Sequence, residues 1–214
     1  MRRIVAGTLA CAAIVPLLTS CAKRTVRDET RAVAVHPTLA GRETGATVRS
    51  AIMGAQPIGP AATTIARQMD QQAQELAFEL PGAVIRRLGG GIVVILPGGM
   101  LFAQESDELA PASRDNLRRL ASSVEKYPNT RIMIVGHTDN QGGTDRNQAL
   151  SERRAQALAG FLEQVGVNRG RVTTIGRGDA EPIAANDTDA GRQWNRRIEI
   201  AIYADEATRF GSAN

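Results

Sequence analysis

The chain has 214 residues, with 26 lysines and arginines against 22 acidic residues and a formal charge of +4. That length supports one domain with its own core plus a long flanking segment. Aromatic residues are only 3% of the chain and the arginines are interspersed with Asp and Glu, so the basic stripe and stacking platforms of a nucleic-acid binder are missing.

Residues 1–20 read as a bacterial lipoprotein signal peptide. Arg2 and Arg3 precede an apolar stretch from Ile4 to Leu18, which is too short for a permanent bilayer span and has the length of a secretory core. It ends in Leu18-Thr19-Ser20-Cys21, which resembles the lipobox, where the cysteine is lipidated and the chain is cut before it. Cys11 leaves with this segment. Cys21 then carries the lipid, and the mature chain keeps no free thiol, which suits an oxidising periplasm. Losing Arg2 and Arg3 lowers the formal charge to +2. The residue after the cysteine is Ala22 rather than Asp, and by the same resemblance this implies the outer membrane.

Residues 21–62 are expected to form a lipidated flexible tether, since Pro37, Pro57 and Pro60 interrupt a mixture with no sustained period. A coil of about forty residues has a typical span of roughly 35 Å and stretches to about 130 Å. A lead-in follows at 63–90. Ile65, Met69, Ala73, Leu76 and Leu80 predict a helix over Thr63–Leu80, stopped by Pro81-Gly82. Ala83–Leu88 and Ile92–Leu96 are strand candidates around Gly89-Gly90-Gly91. A helix from Pro111 or Ala112 to Lys126, a strand Ile132–Val135, a helix Thr144–Val165 and strands Arg171–Ile175 and Ile198–Tyr203 complete the series. The expected class is α+β: a mixed sheet of about four strands with two to three helices packed on one face, over residues 91–205, with a tail at 206–214.

The loop after Ile132–Val135 reads Gly136-His137-Thr138-Asp139-Asn140-Gln141-Gly142-Gly143, at the carboxyl end of a strand where α/β sheets place ligands. In the helix that follows, steps of three and four give the stripe Leu150, Arg154, Leu158, Phe161, Val165. Arg154 therefore faces inward, while Arg153, about 100° round the axis, does not. An inward guanidinium early in a helix opposes the helix dipole and needs an anionic partner. Two readings stay open at this point. One is a salt bridge between Asp139 and Arg154 that only holds the fold. The other is a pocket whose fixed carboxylate and guanidinium fit a zwitterion.

The stretches GHTDNQGGTDRNQALSERRAQALAGFLEQVGV and RVTTIGRGDAEPIAANDTDAGRQWNRRIEI resemble the OmpA-like C-terminal domain. That family includes the peptidoglycan-associated lipoproteins and the flagellar stator protein MotB, and with the lipobox the chain is similar to the small YiaD-like outer-membrane lipoproteins. The resemblance covers about residues 91–203. It implies non-covalent binding of peptidoglycan through meso-diaminopimelate of the stem peptide, with the outer membrane held to the cell wall. Carried over by motif, Asp139 and Arg154 hold the amino-acid end of the diaminopimelate. Asn147 supports the loop or the peptide, Arg196 helps with a carboxylate, and Thr138 and Asn195 lie beside them. The chain departs from the family at Arg177, where an aromatic is usual, and at Gln104 and Glu105, where Thr and Asp or Asn are common.

No enzyme is expected. His137 is the only histidine of the domain, no cysteine pair or second histidine completes a metal site, and Ser151 has no spaced base. No catalytic residue, metal or cofactor is therefore assigned, and His137 is expected to order its loop by hydrogen bonding. The alternative function is an assembly or regulatory lipoprotein in which residues 22–80 bind an envelope protein and the wall domain is the far anchor.

Overall fold

A computed structural model of the chain describes residues 44–103 and 105–210. The expected signal segment, Cys21, the tether up to residue 43, Gln104 and residues 211–214 lie outside the described residues.

The elements run α1 (Ala46–Gly54), α2 (Ala61–Glu79), β1 (Val84–Leu88), β2 (Gly91–Pro97), α3 (Gly98–Leu101), a 3-10 turn at Pro111–Ser113, α4 (Arg114–Lys126), β3 (Thr130–His137), α5 (Thr144–Gln164), a second 3-10 turn at Arg169–Arg171, β4 (Val172–Gly176), α6 (Asp189–Asn195), β5 (Arg197–Ala204) and α7 (Glu206–Arg209). One mixed sheet has the order β1-β2-β5-β3-β4. Only β3 and β4 are parallel, and the long helix α5 joins them, as a parallel pair requires. The α+β class holds. The fifth strand is β1, which pairs with β2 from Val84↔Ile95 to Leu88↔Gly91 and so makes the lead-in part of the sheet.

Side chains alternate across the sheet and divide the core in two. Ile92, Val94, Ile132, Ile134, Ile200 and Ile202 point toward α2, α4 and α5. Val93, Ile95, Val135 and Ala201 point to the opposite face, where Val48 and Ile52 of α1 pack on them. Two expectations are corrected here. Helices cover both faces of the sheet, and residues 46–62 are folded chain rather than tether. The physical reason is visible in β2, where Ile92-Val93-Val94-Ile95-Leu96 is apolar without alternation and every one of these residues is buried. A strand apolar on both sides needs cover on both sides. Val48 and Ile52, one helical turn apart, supply it with only nine helical residues.

Candidate functional site

Glycine brings α5 against β3. A Cβ on Gly136 would lie 2.1 Å from the Ser151 carbonyl oxygen, so no other residue lets the helix approach so closely. Beyond His137 the chain leaves the sheet, and Thr138 N–H donates to the Gly178 carbonyl at 2.8 Å. The Asp139 carboxylate accepts the N–H of Gln141 at 3.1 Å, and Asn147 Nδ2 donates to the Asp139 carbonyl at 3.2 Å. Gly142, at φ 97, turns the loop into the first turn of α5.

Arg154 and Arg153 divide as the helical phase requires: Arg154 is 6% exposed, and Arg153 is exposed and paired with Asp107 at 3.1 Å. The buried stripe of α5 runs through Asn147, Ser151, Arg154, Ala155, Leu158 and Leu162, with Leu150 and Phe161 at its margin. Arg154 Nε donates to the Ser106 carbonyl at 2.8 Å, and its guanidinium lies 5.2 Å from the centroid of the Phe102 ring. Burial lowers the Arg154 pKa from its usual value; Asp107 opposes this and Arg196 adds to it. The group remains a cation near neutral pH. Its two Nη groups have no protein acceptor among the described residues.

Asp139 does not pair with Arg154. Its ion pair is with Nη1 of Arg196, the residue just before β5, which lies beside β3 in the sheet. The fold-holding salt bridge considered above is therefore replaced by a different one, and the Arg154 fork stays uncommitted. Asp139, Arg154, Asn147, Thr138 and Arg196 all line one cleft of about 660 Å³. Asn195 does not. It is fully buried, takes the N–H groups of Ile183 and Ala184 at 2.9 and 3.0 Å, and donates to the Ala184 carbonyl and to Asn186 Oδ1. Its side chain holds the 183–186 loop and does not reach the cleft.

Several walls of the cleft were not expected from the sequence: Gly98 and Gly99 of α3, Arg146, and Asp189 and Arg192 of α6; the loop from Phe102 to Ser106, expected by the resemblance to border the pocket, contributes Phe102, Ala103 and Glu105. Helix α6 has seven residues, too few to show a period, but a start signal is present: Thr188 Oγ1 accepts the Gly191 N–H at 3.1 Å. Glu105 pairs with Arg146 at the rim at 2.7 Å. His137 departs from its expected role. It is buried, and neither ring nitrogen has a hydrogen-bond partner among the described residues. Burial, with Arg197 and Arg177 nearby, holds its pKa well below the usual histidine value, so the ring is neutral. Trp194 is half-buried and is not part of the cleft wall.

The cleft thus offers one buried carboxylate, Asp139, and four guanidiniums, of which Arg154 alone is buried and keeps a two-pronged donor edge with no acceptor among the described residues. Such a set accepts a ligand ammonium on Asp139 and a ligand carboxylate on Arg154, with Arg196 between the two roles.

Residues 101–196 match the OmpA family. The chain is 37% identical over 136 residues to a probable lipoprotein, YiaD, of Escherichia coli K12, an alignment covering 63% of this chain and 62% of that protein. It is 36% identical over 115 residues to the peptidoglycan-binding protein ArfA of Mycobacterium tuberculosis, covering 54% of this chain and 35% of that one. The matches thus span less than two thirds of the length of these relatives. Among solved structures, the cell wall anchor of the T6SS from Pseudomonas aeruginosa superposes with a TM-score of 0.54 at 29% identity, over 66% of this chain and 97% of that one. On these likenesses residues 101–196 form an OmpA-like domain.

Proposed function

We propose that the protein binds peptidoglycan without cleaving it, through the free amino-acid end of meso-diaminopimelate in the stem peptide. We further propose that a lipid on Cys21 anchors it in the outer membrane, so that it ties that membrane to the cell wall with the domain in the periplasm. The observation that carries the reading is the state of Arg154. Its Nε is committed to Ser106, its plane rests on Phe102, and its Nη edge has no acceptor among the described residues, in a cleft that also holds the Asp139 carboxylate. A buried cation with an unused fork is complementary to a carboxylate, and Asp139 supplies the opposite charge for the adjacent ammonium. The names of ArfA, a peptidoglycan-binding protein, and of the wall anchor support the same class of ligand, and that of YiaD, a probable lipoprotein, supports the lipid anchor.

The test is co-sedimentation of the full chain with two purified walls, one carrying meso-diaminopimelate and one carrying lysine at the same position. Lysine lacks the second carboxylate, so Arg154 would lose its partner and pelleting should fall sharply. Equal pelleting with both walls would remove diaminopimelate from the reading, and no pelleting with either would remove peptidoglycan.

A further inference from the structure

On the sheet face that α1 covers, directly behind the cleft, lies a group of buried charges that ligand binding does not use. Arg197 and Glu199 of β5 are 1% and 0% exposed, and Nε of the first donates to Oε1 of the second at 2.7 Å. The remaining arginine donors reach the carbonyls of Asn195 and Glu181 at 3.2 and 3.0 Å. Both Glu199 oxygens accept the N–H of Gly45, each at 2.9 Å, just ahead of α1. Glu181 accepts the Thr47 N–H at 3.2 Å and its hydroxyl at 2.5 Å, and Arg177 Nε donates to the same hydroxyl oxygen at 2.7 Å. Two carboxylates therefore close the start of α1, whose first N–H groups have no helical partner and whose positive end favours anions. The fit is tight: a Cβ on Gly45 would lie 2.5 Å from Glu181 Oε2 and 3.3 Å from Glu199 Oε2.

This group sits one residue from the cleft on β5, through Arg196, and its cross-strand neighbour His137 sits one residue from it on β3, through Thr138. Arg197 follows Arg196, which holds Asp139. His137, the cross-strand partner of Arg197, is followed by Thr138 and Asp139. The Arg197–Glu199 pair is thus joined through the chain to the strand ends that carry Arg196 and Asp139. Arg177, the residue at which the chain departs from the aromatic usual in the family, is spent on α1.

We propose that α1, through Gly45, Glu199 and Arg197, positions the ligand cleft, so that α1 docking and peptide binding are coupled. Glu199 and Arg197 act as positioning residues in this scheme. The inference rests on the cleft reading given above. If α1 lifts away, Glu199 loses its N–H partner and the buried pair is left half satisfied, which costs free energy unless the strand ends shift.

The test uses the full chain and a soluble muropeptide carrying meso-diaminopimelate, with affinity measured by calorimetry and α1 opening by hydrogen exchange. Gly45→Val wedges the carboxylates apart without demanding an unusual backbone, since Gly45 is extended at φ -61 and ψ 153. It should speed exchange of the α1 amides and weaken binding at least fivefold, within the usual range of a coupling free energy. By reciprocity, saturating the wild type with muropeptide should slow α1 exchange by the same factor. Leu76→Val, which loosens the opposite core, controls for stability alone: it should lower Tm and leave Kd within twofold. Unchanged α1 exchange on saturation of the wild type, or wild-type affinity in Gly45→Val with α1 released, overturns the coupling while leaving the cleft assignment intact. A wild type that binds no muropeptide overturns the cleft assignment, and the coupling falls with it.

Discussion

Arg154→Lys isolates the fork from the charge. Lysine keeps a cation over Phe102 but offers a point charge in place of two parallel donors, and it also loses the Nε bond to the Ser106 carbonyl. One hydrogen bond to a charged partner contributes about 1.5–3 kcal/mol, so losing one prong to a ligand carboxylate should raise Kd by about 10- to 150-fold. The Ser106 bond is donated by the same cation, so its loss costs about 1.5–3 kcal/mol of stability, which for a body of this size lowers Tm by about 3–12 °C. Kd is read on the folded protein well below Tm, so the two losses are measured separately. The assay is calorimetric titration with the meso-diaminopimelate muropeptide, alongside a thermal melt of the same sample. Arg153→Ala is the matched control: it removes an exposed pair with Asp107, its side chains 52% and 45% exposed, which is worth about 0–1 kcal/mol to stability and nothing to the cleft. Arg154→Lys binding within twofold of wild type would refute the fork argument. Equal losses at Arg153 and Arg154 would refute the helical-face argument beneath it.

Three further outcomes are expected. Asn195→Ala should lower stability by about 3 kcal/mol, because four partners of a fully buried amide lose it at once, while the folded fraction binds muropeptide normally; a large rise in Kd at unchanged Tm would return Asn195 to the ligand. His137 stays neutral in the fold with its pKa well below the usual value, whereas the unfolded chain takes up a proton near pH 6.5. Its contribution is therefore fully present above that pH and declines as the pH falls, at up to about 1.4 kcal/mol per unit, until the folded pKa is reached. Denaturant melts at pH 7.5 and 5.5 should show a smaller loss in His137→Phe than in the wild type, and parallel curves would exclude the histidine as the cause. Cys21→Ser should move the protein from the membrane to the soluble fraction with wall binding unchanged; retention in the membrane would place the anchor elsewhere.

What the sequence determined by itself is what local pattern carries. The 3.6 period located the long helices, and short apolar runs bounded by turn residues located the five strand segments, because each is a signal carried within one element. The same phase separated Arg154 from Arg153, since position on a helix is fixed by residue number alone. Tertiary structure decided which charge meets which. Asp139 meets Arg196 because β5 is inserted between β2 and β3, a pairing across 57 residues that no spacing encodes. It also decided that Asn195 turns into the 183–186 loop and that the His137 ring has no hydrogen-bond partner among the described residues. Helix α1 escaped notice for a related reason: two apolar residues a turn apart are too weak to hold a helix alone, and the second sheet face and the carboxylates of Glu181 and Glu199 hold it.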